Sequence, residues 1–224
     1  MNAELEQLAV LPASPEAYEI LYQDDVLLVV NKPCKLLTVP GRHPANRDCL
    51  ISRVQREFPG AQVVHRLDYD TSGILLLPLT KPALSELSKQ FQARSIGKFY
   101  QARVAGQLAN GQGEINLPIA ADQQRRPLYK ICPHSGKPSL TRYRLLSYRA
   151  ADNSSLLELE PVTGRSHQLR LHLAAIGHPI IGDPFYAPPA LAKAAPRLLL
   201  HAAQLSCQHP LTAKALTFNA PALF

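Results

Sequence analysis

Residues 65–73 read HRLDYDTSG and place His65, Arg66, Asp68, Asp70, Thr71 and Ser72 within nine positions, closed by Gly73. An aspartate with a reference pKa of about 3.9 is ionised at neutral pH and can act as a nucleophile or a base. An arginine partner in a desolvated cleft would hold it ionised and oriented. A second arginine-bearing segment, GRSHQLR at residues 164–170, could supply that partner. In an extended segment residues 68 and 70 point the same way, which would also suit a pair of acids sharing one proton. Spacing does not choose between the two aspartates, and a purely structural Asp–Arg pair accounts for the same residues.

Other chemistries fit less well. His167 and His172 are five apart, about 140° around a helix and on opposite faces of a strand, so they cannot share an ion. No H-E-x-x-H occurs. GRSHQ approaches a nucleophile elbow, but Gln168 stands where the tight turn needs glycine. Asp70-Thr71-Ser72-Gly73 resembles one aspartic-protease loop, and no second loop is present. Neither G-x-x-x-x-G-K-[ST] nor G-x-G-x-x-G appears, so neither a metal nor a nucleotide cofactor is expected.

The charge distribution narrows the substrate class. Residues 1–31 carry six carboxylates and no Lys or Arg; the remainder holds all 24 basic residues against 11 acidic ones, a net +13. A field of that sign favours a phosphate-bearing partner, although a merely soluble basic surface would look the same. The opening residues lack a basic region followed by an apolar one, and no apolar run approaches the roughly 18 residues that span a bilayer. Cys34, Cys49, Cys132 and Cys207 form no C-x-x-C pair. A cytoplasmic protein with reduced thiols and no membrane association is the expectation.

The elements that must position these residues can be read locally. EILYQDDVLLVVNKP predicts two strands around Asp24-Asp25, stopped by Pro33, and residues 48–58 predict a helix with Leu50, Val54 and Phe58 on one face. GILLLPL, residues 73–79, suits a strand buried on both faces. Thr80 can cap a helix with Pro82 in its first turn and Leu84, Leu87 and Phe91 on one side. KFYQARVAG is a strand, and residues 106–138 are turn-rich with two short strand candidates. LTRYRLLSY and SLLELEPV pair around an Asp-Asn turn. Residues 166–179 predict a helix with Ser166 as N-cap, stopped by Gly177 and Pro179. Strands and helices do not alternate regularly, so the expected class is α+β with a mixed, mostly antiparallel sheet flanked by helices and loops. An N-terminal arm over residues 1–17 and a single domain over residues 18–224 are expected.

HRLDYDTSGILLL resembles the signature of the RluA-type pseudouridine synthases: His-Arg-Leu-Asp, two variable residues, Thr-Ser-Gly, then an apolar strand. VLLVVNKP with LLTVPGR, KFYQARV, GEINLPI, GKPSLTRYRLL, PVTGRSHQLRLHLAAIGHPIIGDPFY and RLLLHA resemble further family blocks in family order, from about residue 18 to 224. The resemblance implies a catalytic domain with its active-site cleft across the sheet, no S4 domain, no cofactor and no metal. It implies a substrate of structured RNA, most similar to members that modify a 23S rRNA hairpin and the anticodon stem-loop of tRNA. A monomer without an obligatory protein partner is expected.

Residue by residue, the resemblance gives Asp68 the catalytic role and leaves Asp70 at a variable position. Arg66 matches the arginine that fills the space of the flipped uridine, and Tyr100 the tyrosine that stacks on the base. Arg165 matches the basic partner of the aspartate, and Leu169 an apolar wall of the pocket. Arg125, Arg126, Lys130 and Lys137, in the turn-rich segment, are candidates for binding RNA phosphates, or a solvated basic loop. Two departures stand out. Lys35 occupies a position where relatives carry glycine, so a turn with φ > 0 there would cost about 1 kcal/mol. DQQRRP stands where close relatives carry Asp-Trp-Pro-Asn-Arg-Pro, which bears on the RNA target more than on the chemistry.

Overall fold

The computed structural model describes residues 9–224. In chain order its strands are β1 (Glu19–Gln23), β2 (Leu27–Lys32), β3 (Ser72–Pro78), β4 (Gly97–Ala105), β5 (Gln112–Asn116), β6 (Ile119–Ala121), β7 (Tyr129–Ile131), β8 (Leu140–Arg149), β9 (Ser154–Pro161), β10 (Leu200–Gln208) and β11 (Ala215–Asn219). The helices are α1 (Leu50–Val54), α2 (Lys81–Ala93), α3 (Gln168–Ala175) and α4 (Pro189–Ala192). Two compact units form: the described residues up to Gly97 with Ala202–Ala220, and Lys98–His201 with Pro221–Phe224. The α+β class and the mostly antiparallel sheet are as expected: β1–β2, β2–β3, β10–β11, β4–β9, β8–β9, β5–β8 and β6–β7 all pair antiparallel. No helix among the described residues is long and apolar enough to cross a membrane.

In the first unit β1 and β2 form the expected hairpin. Asp24 makes its turn, because its Oδ1 accepts the Val26 and Leu27 N–H groups at 2.9 and 2.8 Å. The β2–β3 register sets Val29 against Leu76. β3 is buried at every residue and lies between β2 and β10, with β11 beyond. Leu27, Val29, Ile74, Leu76, Leu87, Ile96 and Leu205 share one apolar cluster. The Thr80 hydroxyl caps α2 as expected by accepting the Ala83 N–H, with Pro82 in the first turn. The helix buries Ala83, Leu87 and Gln90, while Leu84 and Phe91 are partly exposed.

Two sequence expectations in this unit are refined. α1 spans only Leu50–Val54; turns carry the chain on to Phe58, whose N–H reaches the Val54 carbonyl at 2.8 Å. The described part of the N-terminal arm is held to the unit. Asn46 bonds both Leu11 N–H (2.8 Å) and Ala9 carbonyl (2.9 Å), Ser14 N–H donates to the Lys35 carbonyl (2.7 Å), and Arg53 donates to the Glu16 carbonyl (2.9 Å). Residues 1–8 of that arm lie outside the described residues.

The second unit is built on the strand order β4-β9-β8-β5, and β6 and β7 form a separate hairpin. The segment 106–138 thus holds three strands rather than two. Ala102, Val104, Leu157, Leu159, Leu169 and Leu173 lie in its apolar cluster. The helix over residues 168–175 forms and Gly177 ends it at φ +87°. Its N-cap, however, is His167 in the left-handed region (φ 56°), not Ser166, and no side chain caps the first turn. Buried His172 anchors the helix instead: Nδ1 meets Thr141 Oγ1 and Nε2 meets the Leu117 carbonyl, both at 2.9 Å. Burial lowers the pKa of that imidazole, which favours its neutral form.

Candidate active site

The first unit carries the aspartate loop. Residues 66–70 have no regular secondary structure and turn into β3. The Thr71 N–H closes on the Asp68 carbonyl at 3.2 Å. Gly73 then has φ +119°, and a Cβ there would stand 2.4 Å from the Ala202 carbonyl oxygen, so only glycine lets β3 start this close to β10. Thr71 therefore closes the turn at the mouth of the buried strand, which begins with Ser72 and Gly73.

Asp68 is held on both sides. Before it, Leu67 is buried, and the Thr38 hydroxyl donates to its carbonyl (2.9 Å) and accepts from its N–H (3.2 Å). After it, the Leu36 N–H donates to the Tyr69 carbonyl at 3.2 Å, and the Tyr69 hydroxyl to the Pro12 carbonyl at 2.5 Å. The supporting segment is itself pinned by Lys32, fully buried, whose Nζ donates to the carbonyls of Pro33 (2.9 Å) and Leu36 (2.8 Å). Lys35 between them sits at φ 54°. The turn has thus kept the left-handed shape that glycine favours. Asp68 and Asp70 are both half-buried, whereas Arg66 is exposed.

The second unit carries the other candidates. Tyr100 lies on β4 opposite Leu159 of β9 and packs, partly buried, against the apolar cluster. Leu169 is inside that cluster. Arg165 lies in the turn before α3. Its N–H donates to Gln168 Oε1 (3.1 Å), its carbonyl accepts the Gln168 N–H (3.1 Å), and its Nε reaches the Pro138 carbonyl (3.4 Å).

Gln168, which sequence reasoning noted only as a missing glycine, organises this turn. Its amide also donates to the Leu140 carbonyl (2.9 Å) and Thr141 Oγ1 (3.0 Å) and accepts from Thr163 (2.8 Å). Beside it, His167 Nδ1 meets the Tyr186 hydroxyl at 2.7 Å, and that hydroxyl accepts the Tyr129 N–H at 2.9 Å. Beneath lies the fully buried pair Arg170–Asp183, at 2.8 and 2.6 Å. The arrangement fixes a cation on a turn whose polar groups are internally satisfied.

Arg125, Arg126, Lys130 and Lys137 are all exposed and gather about the β6–β7 hairpin. Arg125 pairs with buried Asp122 at 2.8 Å, and Arg126 donates to Gln123 at 2.5 Å. A groove on the β4-β9-β8-β5 sheet is lined by Phe99, Glu114, Arg142, Arg144, Glu158 and Glu160. Its arginines are matched by carboxylates, Arg142 to Glu114 and Arg144 to Glu158 at 2.8 Å each. Tyr100 alternates with Phe99, so it faces the other side of the sheet. Among the described residues no group of three or more His, Cys, Asp or Glu is placed to hold a metal ion.

Residues 26–175 match the family model described as RNA pseudouridylate synthase. The chain is 50% identical over 205 residues to the dual-specificity RNA pseudouridine synthase RluA of Escherichia coli K12, covering 92% of this chain and 93% of that protein. It is 48% identical over 213 residues to the protein of the same name from Pasteurella multocida, covering 95% and 97%. Among solved structures it is similar to human RNA pseudouridylate synthase domain containing 1, at a TM-score of 0.79 and 30% identity, covering 94% of this chain and 85% of that one.

Proposed function

The chain belongs to the RNA pseudouridylate synthase family and is an RNA pseudouridine synthase; on that premise we propose that it acts on a 23S rRNA hairpin and on tRNA anticodon stem-loops, with Asp68 as nucleophile. The observation that supports this most is the aspartate loop. One carboxylate stands between a clamped Leu67 and a closed turn at the start of a buried strand. Residues 18–224 serve as one catalytic domain, working as a monomer in the cytoplasm without a cofactor, a metal or an obligatory protein partner.

The reaction breaks the uridine N1–C1′ bond, turns the base and joins C5 to C1′; the C5 proton leaves and N1 gains one. Nothing is oxidised or hydrolysed. Asp68 opens the sequence by attacking ribose C1′ or uracil C6, or by taking the C2′ proton. Extruding the target base costs a few kcal/mol. Arg66, exposed beside the loop, fills the vacated stack, and Tyr100 stacks on the uracil, worth about 1–3 kcal/mol. Arg165 keeps the aspartate ionised, and Leu169 supplies an apolar wall. Arg125, Arg126, Lys130 and Lys137 bind RNA phosphates from the β6–β7 hairpin, with affinity falling as salt rises.

Unmodified tRNA and 23S hairpin transcripts, incubated with the protein and mapped for pseudouridine at single-nucleotide resolution, test the targets. A product confined to one RNA would replace dual specificity with a single target. Asp68→Asn abolishes product and leaves RNA binding nearly intact, whereas Asp70→Ala stays close to wild type. The opposite pattern would move the nucleophile to Asp70.

A further inference from the structure

We propose that His65 is a positioning residue for Asp68: its neutral imidazole stands in for a neighbouring strand along β3 and fixes where the nucleophile loop leaves the sheet. The inference rests on the reading of Asp68 as nucleophile.

The phase of the sheet sets up the argument. The Leu79 N–H donates to the Val26 carbonyl at 2.8 Å, and the register pairs Leu28 with Leu77 and Val30 with Leu75. Antiparallel bonding alternates, so Leu77 and Leu75 bond to β2 and Leu76 directs its N–H to the opposite flank. Near its start, at Gly73, β3 lies against Ala202 of β10 on that flank. Near its end, residues 62–65 run alongside. The Gln62 N–H reaches the Pro78 carbonyl through the backbone at 2.9 Å. By residue 65 the chain has moved off, and the link is a side chain: the Leu76 N–H donates to His65 Nε2 at 2.9 Å.

Leu76 is fully buried, so its N–H has no recourse to water. The imidazole is steadied by Phe91 of α2, at 4.7 Å between ring centroids and 33° between planes. An Nε2 that accepts must carry its lone pair, which puts the proton of the neutral ring on Nδ1. From this anchor the chain runs through exposed Arg66 and clamped Leu67 to Asp68. One imidazole length of separation is what lets the arginine emerge while the strand stays satisfied.

Three variants and one spectrum decide it. His65→Gln returns an amide oxygen to about the place of Nε2, His65→Leu fills the space without an acceptor, and His65→Asn is too short to reach. On a stem-loop that the wild type modifies, Gln keeps kcat within about threefold, while Leu and Asn lower it on the order of 10- to 100-fold with KM little changed, the signature of a displaced reacting group. In the wild type, 15N-labelled histidine spectra show His65 as the Nδ1–H tautomer. Wild-type kcat in folded Leu or Asn variants, or an Nε2–H or doubly protonated ring, overturns the proposal. Asp68→Asn separates the two readings: full activity there removes the nucleophile assignment itself, whereas an inactive Asp68→Asn beside an unaffected His65→Leu removes only the role of His65.

Discussion

Replacing Asp183 by Asn tests whether the turn carrying Arg165 depends on the ion pair below it. The Asp183 carboxylate accepts four hydrogen bonds: Arg170 Nε (2.8 Å) and Nη2 (2.6 Å), and the N–H groups of Phe185 (2.8 Å) and Tyr186 (3.2 Å). Both side chains of the pair are 1% exposed. Asparagine is nearly the same shape and can still accept from the two backbone groups. What it removes is the negative charge, leaving a buried guanidinium uncompensated, which costs about 3–5 kcal/mol. Against a total stability of about 5–15 kcal/mol this is a large share. At roughly 2–4 °C per kcal/mol for a chain of this size, the melting temperature falls by roughly 6–20 °C. Urea midpoints and circular-dichroism melts measure it. A loss below about 1 kcal/mol would refute the reasoning, because a buried charge left alone cannot be that cheap. The double variant Arg170→Met/Asp183→Leu removes both charges and regains more than half of the loss; a double variant no better than the single one would show that the charge was not the cause.

Three further outcomes follow from geometry already described. Gly73→Ala meets the Ala202 backbone at 2.4 Å in a φ +119° conformation, so it lowers stability by about 3 kcal/mol or more, read from urea unfolding, and pseudouridine formation falls with it. Lys35→Gly relieves a left-handed lysine and raises stability by up to about 1 kcal/mol, whereas Lys35→Val lowers it by about 1–2 kcal/mol; equal midpoints for the two would contradict the strain. The Asp24 carboxylate is opposed by burial, but the Tyr22 hydroxyl, the Val26 N–H, His209 and the Leu27 N–H together hold its pKa at about 2. A depressed carboxylate stabilises the fold above its unfolded value near 3.8 and loses that contribution as pH falls toward 2. Asp24→Asn therefore lowers stability at pH 7 by at most about 2 kcal/mol and has lost most of that effect near pH 2, checked by urea titrations at both.

Much of the scaffold was legible because its signals are local. The apolar runs of β2 and β3, the Asp24 turn, the Thr80 cap with Pro82 and the Gly177 stop each depend on neighbours in the chain. Asp68 was separated from Asp70 only by the surrounding blocks, since both are half-buried and two apart. Long-range partners left no local trace. Thr38 clamps Leu67 from 29 residues away, and Gln168 reaches back to Leu140 across 28. The N-cap of α3 was misplaced for the same reason. Ser166 has the cap chemistry, but Gln168, Tyr186 and Tyr129 satisfy that turn and hold His167 in a left-handed conformation that the sequence does not announce. The division into two units was invisible too, because no composition break marks Gly97 or Ala202.

The first unit takes its last strands from far along the chain. Gln90 of α2 bonds Gln208 across 118 residues, and Asp24 meets His209 across 185. During synthesis the aspartate loop and β3 therefore emerge long before the strand that Gly73 was shaped to meet. Until β10 arrives, the start of a wholly buried strand stands open on one flank to a foreign edge. Closing such distant pairings is slow. The newly made enzyme is thus committed late: Asp68 is translated early, but its loop gains its final support only after the second unit has been made.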